Sequence, residues 1–171
     1  ASVLCYQTLY EQAHAGGSDR KGSGNLPGQK EKPEKDKAKQ AEAEREKLKP
    51  KDMSDNQKGM VQAFNRYICY INPPKSDSAG QDQLVEVKYA RARTYFESHH
   101  WEEAAIGFRD IAMNNADRDV GIYAAQLYLE SVNVLGGHFS KTACFDDMEQ
   151  DVPKFIELYC QGDKAAKNAD P

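Results

Sequence analysis

The chain has no stretch near the ~18 to 20 consecutive apolar residues that a membrane-spanning helix requires. It opens at Ala1 with neither an initiator Met nor a basic-then-apolar leader, so a soluble processed chain or an excised fragment is expected. Sustained alternation of apolar and polar residues is missing too, which excludes a half-buried sheet and leaves an all-α class. Positive charge is not in excess: 23 Lys and Arg stand against 27 Asp and Glu, a net of -4, and no nucleic-acid partner is expected. Residues 18–58 contain no aromatic and only Leu26, Leu48 and Met53 as large apolar groups, so about 130 residues remain to build a core.

That stretch also holds the charge imbalance. It carries 12 basic and 9 acidic residues, net +3, which leaves the remainder at net -7 and the folded part acidic. Its Gly, Lys, Glu and Pro content cannot offset the entropy of ordering it, so 18–58 is expected to be a disordered, flexible charged insertion. Glu34 to Lys49, nearly all Ala, Glu, Lys, Arg and Gln, is the part compatible with a solitary solvated helix.

Helical spacing is present on both sides. Val3, Tyr6, Leu9, Tyr10 and Ala13 form one face of a short helix over 2–14, ended by Gly16-Gly17, within a first unit over 1–17. Ser54 or Asp55 can cap a helix whose stripe is Met60, Val61, Phe64, Tyr67, Ile68 and Ile71, stopped by Pro73-Pro74. The spacing then predicts helices over 82–98, 101–113, 118–135 (ended by Gly136-Gly137) and 142–160, the last broken near Pro153. The α-helical module therefore occupies 59–161, and 162–171 is a polar tail.

An offset of 33 residues superimposes Tyr89 on Ile122, Ala92 on Ala125, Tyr95 on Tyr128 and Phe96 on Leu129. Small Ala92 allows close helix approach, Tyr95 fills the space beside it, and Ala104 with Phe108 supplies the facing small and large pair. With Trp101 and Ile111, this ordered set resembles the tetratricopeptide repeat (TPR) family over 84–135; Arg91 and Ala116 stand where that family usually has Leu and Pro. FESHHWEEAAIGFRDIA is similar to the cell-envelope members of myxobacteria, some of them in gliding-motility or outer-membrane assembly apparatus. The resemblance implies an antiparallel helix-pair solenoid and a non-enzymatic protein-interaction scaffold. Its concave groove would be lined by Glu86, Tyr89, Arg93, Phe96, Glu97, Ile122, Gln126, Leu129 and Glu130, and filled by a protein or peptide partner. A cytosolic adaptor for a short peptide, or a segment of a longer solenoid, are the alternatives.

Four cysteines allow three disulfide connectivities. If 2–14 and 55–71 pack antiparallel as one helix pair, Cys5 lies level with Cys69; a hairpin at Val152-Pro153 would bring Cys144 to Cys160. Two such bridges would suit a periplasmic location, and four free thiols a cytoplasmic one. No two cysteines have zinc-knuckle spacing, and Leu4 before Cys5 is too large for a lipoprotein acceptor, so no metal and no cofactor are expected. His99-His100 reads as a polar turn, Glu102 and Glu103 as first-turn charges on a helix, and the Gly-rich stretches near Gly16 and Gly22 as linkers lacking a phosphate loop's Lys-Ser/Thr. No catalytic group is assigned.

Overall fold

The computed structural model describes residues 34–161, which form six α-helices and, among these residues, no strand. The helix expected over 2–14, the first part of the charged insertion and the polar tail lie outside the described residues. The helices are α1 (Glu34–Lys47), α2 (Asp55–Tyr70), α3 (Ser78–Glu97), α4 (Trp101–Asn114), α5 (Asp119–Phe139) and α6 (Ala143–Tyr159). From α2 onward each helix packs chiefly on the next in sequence, and α3 touches α5 lightly across α4.

The helix boundaries follow local chemistry. At α2, Ser54 closes a capping box with Gln57: the Gln57 N–H donates to Ser54 Oγ at 3.2 Å, and the Ser54 N–H to Gln57 Oε1 at 2.9 Å. The third helix begins at Ser78, earlier than the apolar pattern suggested, because Asp77 Oδ1 accepts from the Gly80 N–H at 2.9 Å. Two expected breaks do not occur. Gly136-Gly137 lies inside α5, which ends at Ser140 in the left-handed region (φ 59). A Cβ on Gly136 would stand 2.5 Å from Phe145 Cζ, so this glycine serves close helix approach, not termination. Likewise, α6 runs unbroken through Pro153. The proline is exposed on the solvent side, while Asp151, Val152 and Phe155 around it are buried.

The core lies between α3, α4, α5 and α6. Ala92, Ala104, Phe108, Ile111, Ala112, Ala124, Ala125, Leu129 and Phe155 are wholly buried, so the small residues related by the 33-residue offset, Ala92 and Ala125, both sit at packed interfaces. Closest approach of α3 and α4 depends on a residue the repeat pattern did not single out: a Cβ on Gly107 would stand 2.8 Å from Ala92 Cβ. Within this core Asp151 is 1% exposed and bound on every side. Arg109 donates to it through Nε at 2.5 Å and Nη2 at 2.9 Å, Tyr128 Oη at 2.9 Å and Lys154 Nζ at 3.1 Å, which ties α4, α5 and α6 together. Burial pushes the Asp151 carboxyl upward, but these donors outweigh it and hold the group below the ordinary carboxylate range. Burial, with the bond to Asp151, moves the Tyr128 hydroxyl upward.

Candidate functional site

The residues expected to line a groove fall on one face of each of two helices. By helical rotation Glu86, Tyr89, Arg93, Phe96 and Glu97 share an arc of roughly 100° on α3, as do Ile122, Gln126, Leu129 and Glu130 on α5. Their exposure divides them. Leu129 is wholly buried in the core, so a ligand cannot reach it in the intact fold. Tyr89 and Phe96 are half-buried, each meeting the Phe108 ring edge-on at 5.6 and 5.9 Å, and Phe96 also meets Trp101 at 5.1 Å. Both rings are held against α4.

The other members of the two arcs are mostly polar. Arg93 Nε donates to Glu97 at 2.9 Å, and this bond raises the guanidinium's already high pKa. Glu86 and Glu130 are exposed, while Ile122 and Gln126 are half-buried. Glu130 has no ion-pair partner among the described residues, and burial alone shifts its carboxyl upward. One residue on this face escaped the sequence reading. Asn133 follows Glu130 on the same arc, and its Oδ1 is buried with no hydrogen-bond partner among the described residues. The continuation of the Gln126, Glu130 stripe by one further turn was the signal available for it.

The His99-His100 turn does more than reverse the chain. His99 takes a left-handed conformation (φ 60) and stacks on Trp101 with ring centroids 4.9 Å apart. Together the turn residues grip the backbone between α1 and α2. Trp101 Nε1 donates to Leu48 O at 2.7 Å, His99 Nδ1 lies 3.3 Å from Lys49 O, and His100 Nε2 lies 3.0 Å from Lys51 O. In return the Lys51 N–H donates to Ser98 O at 2.9 Å, and Gln57 Nε2 to Ser98 Oγ at 3.2 Å. Carbonyl oxygens only accept, so each imidazole carries its proton on the nitrogen facing the strap. The end of the charged insertion is thus fastened to the helical module, although α1 itself is exposed along its described side chains. Arg45 lies 5.8 Å over the Phe139 ring at its root.

Beside this clasp is a cleft of about 250 Å³, walled by Pro50, Trp101, Leu135 and Phe139, with Lys141 and Glu102 forming an ion pair at its edge. Both histidines border it, but each spends one ring nitrogen on the strap. No group of three His, Cys, Asp or Glu among the described residues is placed to hold a metal ion. None of the helices among them is long and apolar enough to cross a membrane.

The thiols overturn the expected pairing. Cys69 on α2 is exposed and free, and Cys144 in the first turn of α6 is half-buried and free, so neither a Cys5–Cys69 nor a Cys144–Cys160 bridge forms. For the second pair the cause is the unbroken α6, which places its cysteines roughly 24 Å apart along the axis. Burial, then the nearby Asp147, raises the Cys144 thiol. Cys160 is 4% exposed and is not one of the free thiols. In comparisons with protein-family models, curated proteins and solved structures, none matches this chain.

Proposed function

We propose that this chain is a non-enzymatic protein-interaction scaffold whose α3 and α5 faces form a TPR-like groove for an extended partner segment. The observation that carries the reading is a polar set the fold does not use. Glu130 is exposed with no ion-pair partner among the described residues, and Asn133 keeps a buried acceptor with no donor among them, both on the arc of α5 that carries Ile122. Unspent polar groups beside half-buried apolar side chains on the same helix suit a surface completed by another chain. A place in a bacterial envelope assembly, of the gliding-motility or outer-membrane kind, belongs to this proposal through the TPR resemblance. The exposed free thiol of Cys69 favours the alternative of a cytosolic adaptor with the same groove.

The test is quantitative capture from the native host by the immobilised chain. Arg93→Glu, which turns the Arg93–Glu97 pair into two like charges on the exposed face, should reduce capture at least about tenfold, the equivalent of ~1.4 kcal/mol. The melting temperature should stay within a degree or two, because the pair is solvent-exposed. Unchanged capture would remove the groove.

A further inference from the structure

The cleft beside the clasp, about 250 Å³ in volume, has apolar walls and charged groups of both signs at its edge. Leu135 and Phe139, one turn apart on α5, share it with Trp101 of α4 and Pro50 of the strap. The Trp101 indole is fixed in advance by its stack on His99 and its bond to Leu48 O, so the pocket is largely formed before anything enters it. Glu102 and Glu103 come from the first turn of α4, and Lys141 from the turn between α5 and α6, where its N–H donates to Leu135 O at 3.1 Å. Glu102 occupies one donor of the Lys141 ammonium, which has three. Glu103 is exposed and forms no ion pair among the described residues. A carboxylate and an ammonium are therefore both available beside one apolar pocket. Its size falls below the ~300 to 1,000 Å³ of pockets for drug-sized ligands, which sets the guest at a small molecule.

We infer that this cleft binds a free amino acid with a large apolar side chain. The side chain enters between Trp101, Leu135 and Phe139, the ligand's ammonium meets the Glu103 carboxylate, and its carboxylate takes the remaining donors of Lys141. Charge complementarity selects this class. An apolar amine would leave the Lys141 donors to water, and an apolar acid would face Glu102 and Glu103, whereas a guest carrying both charges is answered at each. The residue at either end of a peptide carries only one of the two, so the same chemistry favours the free amino acid over a peptide terminus. Because Pro50 and Trp101 belong to the two sides of the clasp, an occupant also holds the strap against α4 and opposes its opening. The inference does not depend on the groove.

The experiment uses the full chain and L-phenylalanine, with equilibrium dialysis to measure uptake and the fluorescence of Trp101, the sole tryptophan of the sequence, to locate it. Uptake of a single molecule per chain with a Kd of about 0.1 to 1 mM, accompanied by a saturable change in emission, is expected. N-Acetyl-L-phenylalanine lacks the ammonium and mimics the last residue of a peptide; L-phenylalanine amide lacks the carboxylate and mimics the first. Each should bind at least about tenfold more weakly. Glu103→Gln and Lys141→Gln should each weaken L-phenylalanine at least about tenfold with no change in melting temperature, because both side chains are exposed. Arg93→Glu, in the groove, should leave its binding unchanged. No saturable uptake, or uptake that both cleft variants retain, would overturn the site. Equal or tighter binding of either derivative would overturn the free amino acid and give the cleft to a peptide terminus. Saturation should also slow hydrogen exchange at the Lys51 amide, which donates to Ser98 O, and an unchanged rate would overturn the link to the strap.

Discussion

The two ends of the helical array are built to different standards. On α6, Met148, Asp151, Val152, Phe155 and Tyr159 are all buried, and one carboxylate joins three helices. On α2 only Val61 is buried, and Met60, Tyr70 and Ile71 are 47%, 81% and 41% exposed. By rotation, Val61, Phe64 and Ile68 of α2 face α3, while Met60, Ala63, Tyr67, Tyr70 and Ile71 form an adjoining apolar flank that α3 does not cover. The contrast shows where cooperativity resides. The α4–α6 end couples burial to a satisfied ionic network, whereas α2 adheres by one stripe, the exposed hydrogen bond from Arg91 to Asn65 Oδ1 and its contact with the clasp. Local opening should therefore begin at α2 and leave the α6 end intact.

The strongest way to break the contrast is to remove the network. Asp151→Ala strips Arg109, Tyr128 and Lys154 of their common acceptor and should cost about 3 kcal/mol in urea unfolding. A loss under about 1 kcal/mol would mean that the network adds nothing to apolar burial. The pH dependence has a definite sign. The folded pKa of Asp151 is depressed, so its stabilisation is present above the unfolded value near ~4 and disappears as pH falls through the lower folded value. Asp151→Asn should flatten stability against pH in that acidic window, and an unchanged slope there would assign the acid sensitivity to other carboxylates. Next in size is Gly136→Ala, whose Cβ would collide with the Phe145 ring. Overpacking should outweigh the gain in helix propensity and leave a net loss of about 1 to 2 kcal/mol, and a stabilised variant would show that Phe145 moves aside freely.

What the sequence disclosed depended on whether a signal was local. The Ser54 cap, the Val61, Phe64 and Ile68 part of the α2 stripe (whose Met60 and Ile71 are exposed), and the Ala92 and Ala125 anchors announce themselves through residue type and spacing and appear in the fold. Gly136 did not, because glycine marks both helix ends and close helix contacts, and only Phe145 in the following helix decides between them. Pro153 misled for a similar reason, since the burial around it that holds α6 continuous is tertiary. Asp151 resembled Asp146 and Asp147. Its place in the Met148, Val152, Phe155, Tyr159 stripe was the clue that one acid there points inward. Among the residues expected to line a groove, Leu129 shares an arc with Gln126 and Glu130, and rotation alone cannot tell the buried edge of a face from its exposed edge. The clasp had no sequence signature on its strap side, because Leu48, Lys49 and Lys51 contribute backbone carbonyls that any residue carries.

The clasp is also where the two ends can be compared at the smallest energetic scale. Trp101→Phe retains most of the ring contact with Phe96 and removes the Nε1–H that reaches Leu48 O. A single neutral hydrogen bond of this kind contributes about 1 kcal/mol. If the strap is fastened independently of the α6 end, the variant should speed hydrogen exchange at the Lys51 amide, which donates to Ser98 O, by about fivefold. Amides within α6 should be unaffected. Equal acceleration at both places would mean that the α2 and α6 ends open together as one cooperative unit, and the difference in their burial would then have no counterpart in local stability.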